Sequence, residues 1–139
     1  MIDFAGVNWL AVIVSTVVSF AIGGLWYSAL FQKPWMRLTG ISQEQAAEGG
    51  ASSMAFYFGV SLVTYFIAAT ALALLLRATG ASGAAQGLTL GLLVGVGIVA
   101  AVSYNNYTYT RRPNMLYLID IGYPVVALAI SGVILGIWR

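Results

Sequence analysis

The chain has 139 residues, 60% of them hydrophobic and only 7% charged, with a net charge of +2. A soluble domain carries about 25% charged residues, and one this poor in charge would expose aggregating apolar patches, so composition points to a single integral membrane domain over 1–139. Cysteine and histidine are absent, which excludes disulfides, thiolate or imidazole metal ligands, a thiol nucleophile and the commonest general base.

The first apolar run extends from about Val7 to Phe31 and carries no charge; about 20 residues suffice to cross a bilayer. The charge ahead of it is Asp3 rather than a cation, and the run exceeds the about 7–15 residues of a signal-peptide core, so a retained span is expected. Next comes the long polar segment 32–53. Its opening, Lys33-Pro34-Trp35-Met36-Arg37, reads as an interfacial anchor, a tryptophan between two cations. Ser42-Gln43-Glu44-Gln45 has the spacing of a capping box, which predicts a short surface helix over about Gln43–Glu48, stopped by Gly49-Gly50.

A second span is expected over about Met54–Leu76, ending at Arg77. The third runs over about Gln86–Thr110 after a small, Gly-rich link, and the fourth over about Met115–Trp138 after a tight turn at Arg111–Asn114. Backbone groups find no partners in hydrocarbon, and runs of this length lack a two-residue alternation, so all four are helices. The expected fold is an all-α bundle of four transmembrane helices (about 7–31, 54–76, 86–110 and 115–138), with a short surface helix between the first two. Both termini fall on one side, and the third and fourth helices are antiparallel neighbours. Lys33, Arg37, Arg111 and Arg112 flank one side, Arg77 and Arg139 the other. That bias places loops 32–53 and 111–114 in the cytoplasm and the termini outside, in a cell (plasma or inner) membrane.

Helices associate in lipid where small residues let backbones approach. Gly83, Gly87, Gly91 and Gly95 repeat every four positions on the third helix, and Ala11, Ser15, Ser19 and Gly23 do so on the first. The fourth offers Gly122, Ala129 and Gly136 seven apart, with Gly132 four before Gly136. These rows serve either packing within one bundle or a seam between copies of the chain. No strand precedes the glycines, so they are not a phosphate-binding loop.

Polar and aromatic groups gather at one end of all four helices: Trp26 and Tyr27, then Phe56 and Tyr57, then Tyr104, Asn105, Asn106 and Tyr107, then Tyr117, Asp120 and Tyr123. An interfacial aromatic belt accounts for Trp35, Tyr109 and Tyr117 but not for two amides and an acid. Of the four acids, Asp3, Glu44, Glu48 and Asp120, only Asp120 lies in a predicted span, so an intramembrane pair of catalytic aspartates is excluded. Five residues past Met115 it sits about 7–8 Å along the helix, where a charge must be paired or hydrated. Pro124 removes the amide that would bond the Asp120 carbonyl. Two accounts stand side by side. Asp120 is either bonded by Arg111, Arg112, Asn105, Asn106 or a tyrosine and locks the hairpin, or it forms with Asn105 and Tyr123 a small site for a cation, proton or polar solute. The candidate cluster is Asp120, Asn105, Asn106, Tyr123, Tyr27, Trp26 and Tyr104.

Asn8-Trp9-Leu10-Ala11-Val12, then Gly24-Leu25-Trp26-Tyr27-Ser28 followed by Lys33, Trp35-Met36 and Gly40, and finally Leu118-Ile119-Asp120-Ile121-Gly122-Tyr123 resemble the domain of unknown function 1761 family. The resemblance spans nearly the whole chain, with the glycine- and alanine-rich middle as a departure. It implies a small prokaryotic membrane protein of four helices and supplies no activity; Trp26, Tyr27 and Asp120 match its motif positions. Small multidrug-resistance exporters are similar in architecture alone. They carry an acid in the first helix, which this chain lacks, and shared architecture does not carry function.

The expected function is that of a non-enzymatic interaction or accessory protein that packs through its helices as a homo-oligomer or as a subunit of a larger membrane complex. The alternative is a small oligomeric channel or carrier for a proton, cation or small polar solute using Asp120. Beyond the lipid bilayer and such protein partners, no cofactor and no metal are expected, and without a basic stripe no nucleic acid.

Overall fold

The computed structural model describes residues 2–40 and 50–138, with side chains of the second span described from residue 55 onward. Every regular element among them is helical, and four helices are long and apolar enough to cross a membrane: Trp9–Leu30, Ala55–Thr79, Gly83–Tyr109 and Asn114–Ile137. The chain is a multi-pass membrane protein. Exposed side chains such as Leu10, Val17, Ile67, Leu93, Val102 and Leu118 ring the bundle, as a lipid-facing surface requires.

Each span starts and stops for a local reason. Asn8 caps the first, its Oδ1 accepting from the Ala11 amide at 3.2 Å. The same side chain donates from Nδ2 to the Trp138 carbonyl at 3.2 Å, so the start of the first span is tied to the end of the fourth. Close by, Arg77 pairs with Asp3 at 3.2 Å, which fixes this as the terminal end. The third span stops in a left-handed cap. Arg111 has φ 58°, its amide bonds the Thr108 carbonyl at 3.2 Å, and the Arg112 amide bonds Tyr107 at 3.0 Å. That is the arrangement in which helices usually place glycine. Pro113 then caps the fourth span, so the reversal takes only a few residues.

A short helix, Gln32–Thr39, follows the first span and ends at Gly40 with φ 73°. It carries the Lys33-Pro34-Trp35-Met36-Arg37 anchor, with Pro34 in the first turn, where its missing amide is harmless. The surface helix expected over 43–48 lies outside the described residues.

The fourth span is central and touches each of the other three. Its tightest contact is with the third, in antiparallel register. A Cβ placed on Gly87 would strike the Gly132 carbonyl, one on Gly91 the Leu128 carbonyl, and one on Gly136 the Gly83 carbonyl. Gly95 lies against the Cα of Val125, where an added Cβ would stand at 3.2 Å. Gly83, Gly87, Gly91, Gly95, Ala129, Gly132 and Gly136 thus form one internal seam. Gly122 does not join it; it faces the Trp26 ring of the first span. Between the first, second and fourth spans, near the terminal end, Val7, Ala11, Val12, Ala69, Leu72, Ala73, Leu76, Leu128 and Leu135 form the buried apolar core.

Candidate functional site

Two rows repeating every four residues climb the interior and converge at the other end. On the first span the row is Ala11, Ser15, Ser19, Gly23 and Tyr27; on the third, the glycines continue through Val99 and Ser103 to Tyr107. In an α-helix each four-residue step overshoots a full turn by about 40°. Both spans contain a π-helical stretch, Trp26–Leu30 and Gly95–Ala100; only the second lies within its row, where its wider turns rotate less per residue and reduce that drift. Both rows still face the fourth span when they reach their tyrosines.

Asp120 receives them. The Tyr27 hydroxyl donates to Oδ1 at 2.9 Å, and the Tyr107 hydroxyl donates to Oδ2 at 2.6 Å. A third donor comes from the short helix, whose Trp35 Nε1 reaches Oδ1 at 3.1 Å. One half-buried carboxylate thus joins the first span, the interfacial helix, the third span and the fourth. Such bonds between helices are each worth about 0.6–2 kcal/mol in a membrane.

Aromatic rings wall the acid. Tyr27 stands edge-on to Trp35 and to Tyr123, with centroids 5.9 Å away in each case, and Tyr123 leans on Tyr65 at 5.1 Å. Tyr123 is beside Asp120 in sequence but bonds elsewhere, donating to the Ser19 carbonyl at 2.8 Å. Trp26 likewise bonds the backbone, donating from Nε1 to the Ile119 carbonyl at 2.8 Å. Deeper in the same interface, Ser19 and Ser131 share a hydrogen bond at 3.2 Å.

Of the seven cluster residues read from the sequence, Asp120, Tyr27, Trp26 and Tyr123 come together. Asn105 and Asn106 do not: both are exposed. Tyr104 is 46% exposed and packs edge-on against Tyr117 at 5.0 Å. Neither arginine of the turn pairs with the acid. Arg112 instead lies over the Tyr107 ring, 5.1 Å from its centroid, a cation–π contact one ring away from the carboxylate.

Trp35 and Tyr107 are the partners that sequence reasoning missed. Trp35 fitted the belt rule, yet its indole turns inward to Asp120. Tyr107 carried a usable signal, since it continues the glycine row in steps of four. Tyr117, also assigned to the belt, donates to the Ala100 carbonyl at the end of the π stretch, at 2.6 Å. Tyr109, 81% exposed, has the placement of a belt residue. Among the described residues no group of three acids, histidines or cysteines is placed to hold a metal ion.

The family model described as "Protein of unknown function (DUF1761)" matches residues 10–136. The chain belongs to this family. The matched region holds all four spans nearly whole and every residue that contacts Asp120. No curated protein and no solved structure matches this member of DUF1761.

Proposed function

We propose that this DUF1761 protein is a non-enzymatic helix-packing protein, an accessory or interaction subunit of the cell membrane in which Asp120 is a lock and not a path. The observation that supports this reading is a carboxylate held by three donors. Both oxygens accept bonds from donors of the same chain, which is what interhelical glue requires. A carrier site would instead leave most of its acceptor positions open to its cargo. Two further polar contacts of the interior point the same inward way, Ser19 with Ser131 and Tyr123 with the Ser19 backbone. Lys33, Arg37, Arg111 and Arg112 gather at the Asp120 end, so the positive-inside rule sets that end in the cytoplasm.

The test is flux together with stability. Asp120→Asn in liposomes should leave proton and cation leak unchanged while lowering the thermal midpoint in mild detergent. A changed flux at unchanged stability would favour the channel or carrier reading and overturn this one. In the same detergent the protein should run well above the mass of one chain plus micelle.

A further inference from the structure

The third span is the least covered of the four, with 17% of its apolar window buried against 33% for the fourth. One face is sealed on the fourth span. Two positions away from that row, about 200° around the helix, stand Leu93, Gly97, Ala101 and Asn105, all exposed. Asn106 adjoins them. Asn105 lies four residues, about 6 Å, inside the end of the span at Tyr109.

Several polar side chains elsewhere in the spans are satisfied within the chain, although among the described residues the buried Ser15 hydroxyl is not. Ser19 meets Ser131, Thr89 bonds the Ala85 carbonyl, Thr70 bonds Phe66, and Asp120 takes three donors. The amides of Asn105 and Asn106 have no such partner among the described residues. An amide facing hydrocarbon without a partner is costly, and polar residues in spans usually face other helices. A carboxamide also has a particular symmetry. It offers donors and an acceptor together, so it pairs with an identical amide across a twofold axis.

We propose that the outer face of the third span is where a second copy of the chain packs. Asn105 of one copy then pairs with Asn105 of the other about a twofold axis along the membrane normal. Such an axis keeps both copies in the same orientation and sets identical residues at the same depth. The face has room for the approach, because among the described residues a Cβ added at Gly97 would meet only Leu93 Cδ1, at 3.7 Å. The glycine row of the same span is not free for this role, being closed against the fourth span. The inference rests on the interaction reading above and names its partner and surface.

The chain contains no cysteine, so single cysteines report contacts cleanly. In the full chain reconstituted in phosphatidylethanolamine/phosphatidylglycerol vesicles, mild oxidation of Ala101→Cys should give covalent dimers. Val63→Cys, on the exposed face of the second span, should not. Adding Asn105→Leu should cut the Ala101→Cys dimer yield about three- to tenfold, and Asn105→Gln should restore part of it. Dimers through Val63→Cys and not Ala101→Cys would overturn the assigned face while leaving association intact. A yield indifferent to Asn105→Leu would overturn the amide pairing. A single-chain mass with no cross-link at either position would overturn this inference and the interaction reading together.

Discussion

Toward the terminal end the third and fourth spans meet backbone to backbone, with glycines set against carbonyls of the facing helix. At the Asp120 end the same two spans are joined by side chains that reach across: Tyr107 to Asp120, Tyr117 to Ala100, and Arg112 folded back over Tyr107. The first kind of contact has no slack, since one methyl group has nowhere to go. The second has slack, because a lost hydroxyl leaves the rings and their packing in place. A bundle in lipid gains nothing from hiding apolar surface from water, so it uses close approach where both helices can be thin. It uses hydrogen bonds where bulky aromatics hold the helices apart.

The contrast breaks most easily at the seam. Gly132→Ala should lower stability by about 3 kcal/mol or more, because the added carbon meets the Gly87 carbonyl and neither backbone can yield cheaply. Gly24→Ala is the matched control. Among the described residues nothing lies within 4 Å of its added carbon, and alanine favours the helix by about 1 kcal/mol. Thermal unfolding in detergent decides the matter; equal midpoints for the two variants would refute the seam.

At the polar end smaller losses are expected. Tyr27→Phe and Tyr107→Phe each remove one donor to Asp120 and should cost about 1–2 kcal/mol. Each should couple to Asp120→Asn in a double-mutant cycle, because both act on one carboxylate. Additive effects within about 0.3 kcal/mol would mean that these bonds do not hold the bundle.

The seam was the more legible of the two regions, since a four-residue glycine repeat has few other uses in a span. Asp120 was legible for a similar reason, as the one acid in a predicted span. Its partners were harder to read because direction, not proximity in sequence, selects them. Asn105 and Asn106 lie two and one residues from Tyr107, yet at about 100° per residue that separates them from the inward face. Tyr123 is three residues from Asp120 and bonds a different span. The π stretch ahead of Tyr107, Gly95–Ala100, leaves no mark in a hydropathy pattern. Nor does the inward turn of Trp35, because a tryptophan beside cations fits the interface rule whichever way its indole points.

The smallest expected effect tests whether the polar interior is as closed as the lock reading needs. Ser15 is 0% exposed, and its Oγ finds no partner among the described residues, whereas Thr16 beside it bonds the Val12 carbonyl at 2.8 Å. A buried hydroxyl left unpaired costs about 1 kcal/mol or more, so Ser15→Ala should raise stability by about 1 kcal/mol. The sign carries the argument. A dry, closed interface gains when the orphan oxygen goes, because only one atom of volume is lost. A loss of stability would mean that the hydroxyl holds a partner, and in a bundle this tightly packed that partner is an internal water on the row from Ser15 to Asp120. Water there would open the acid to the interior and move the balance from lock toward passage.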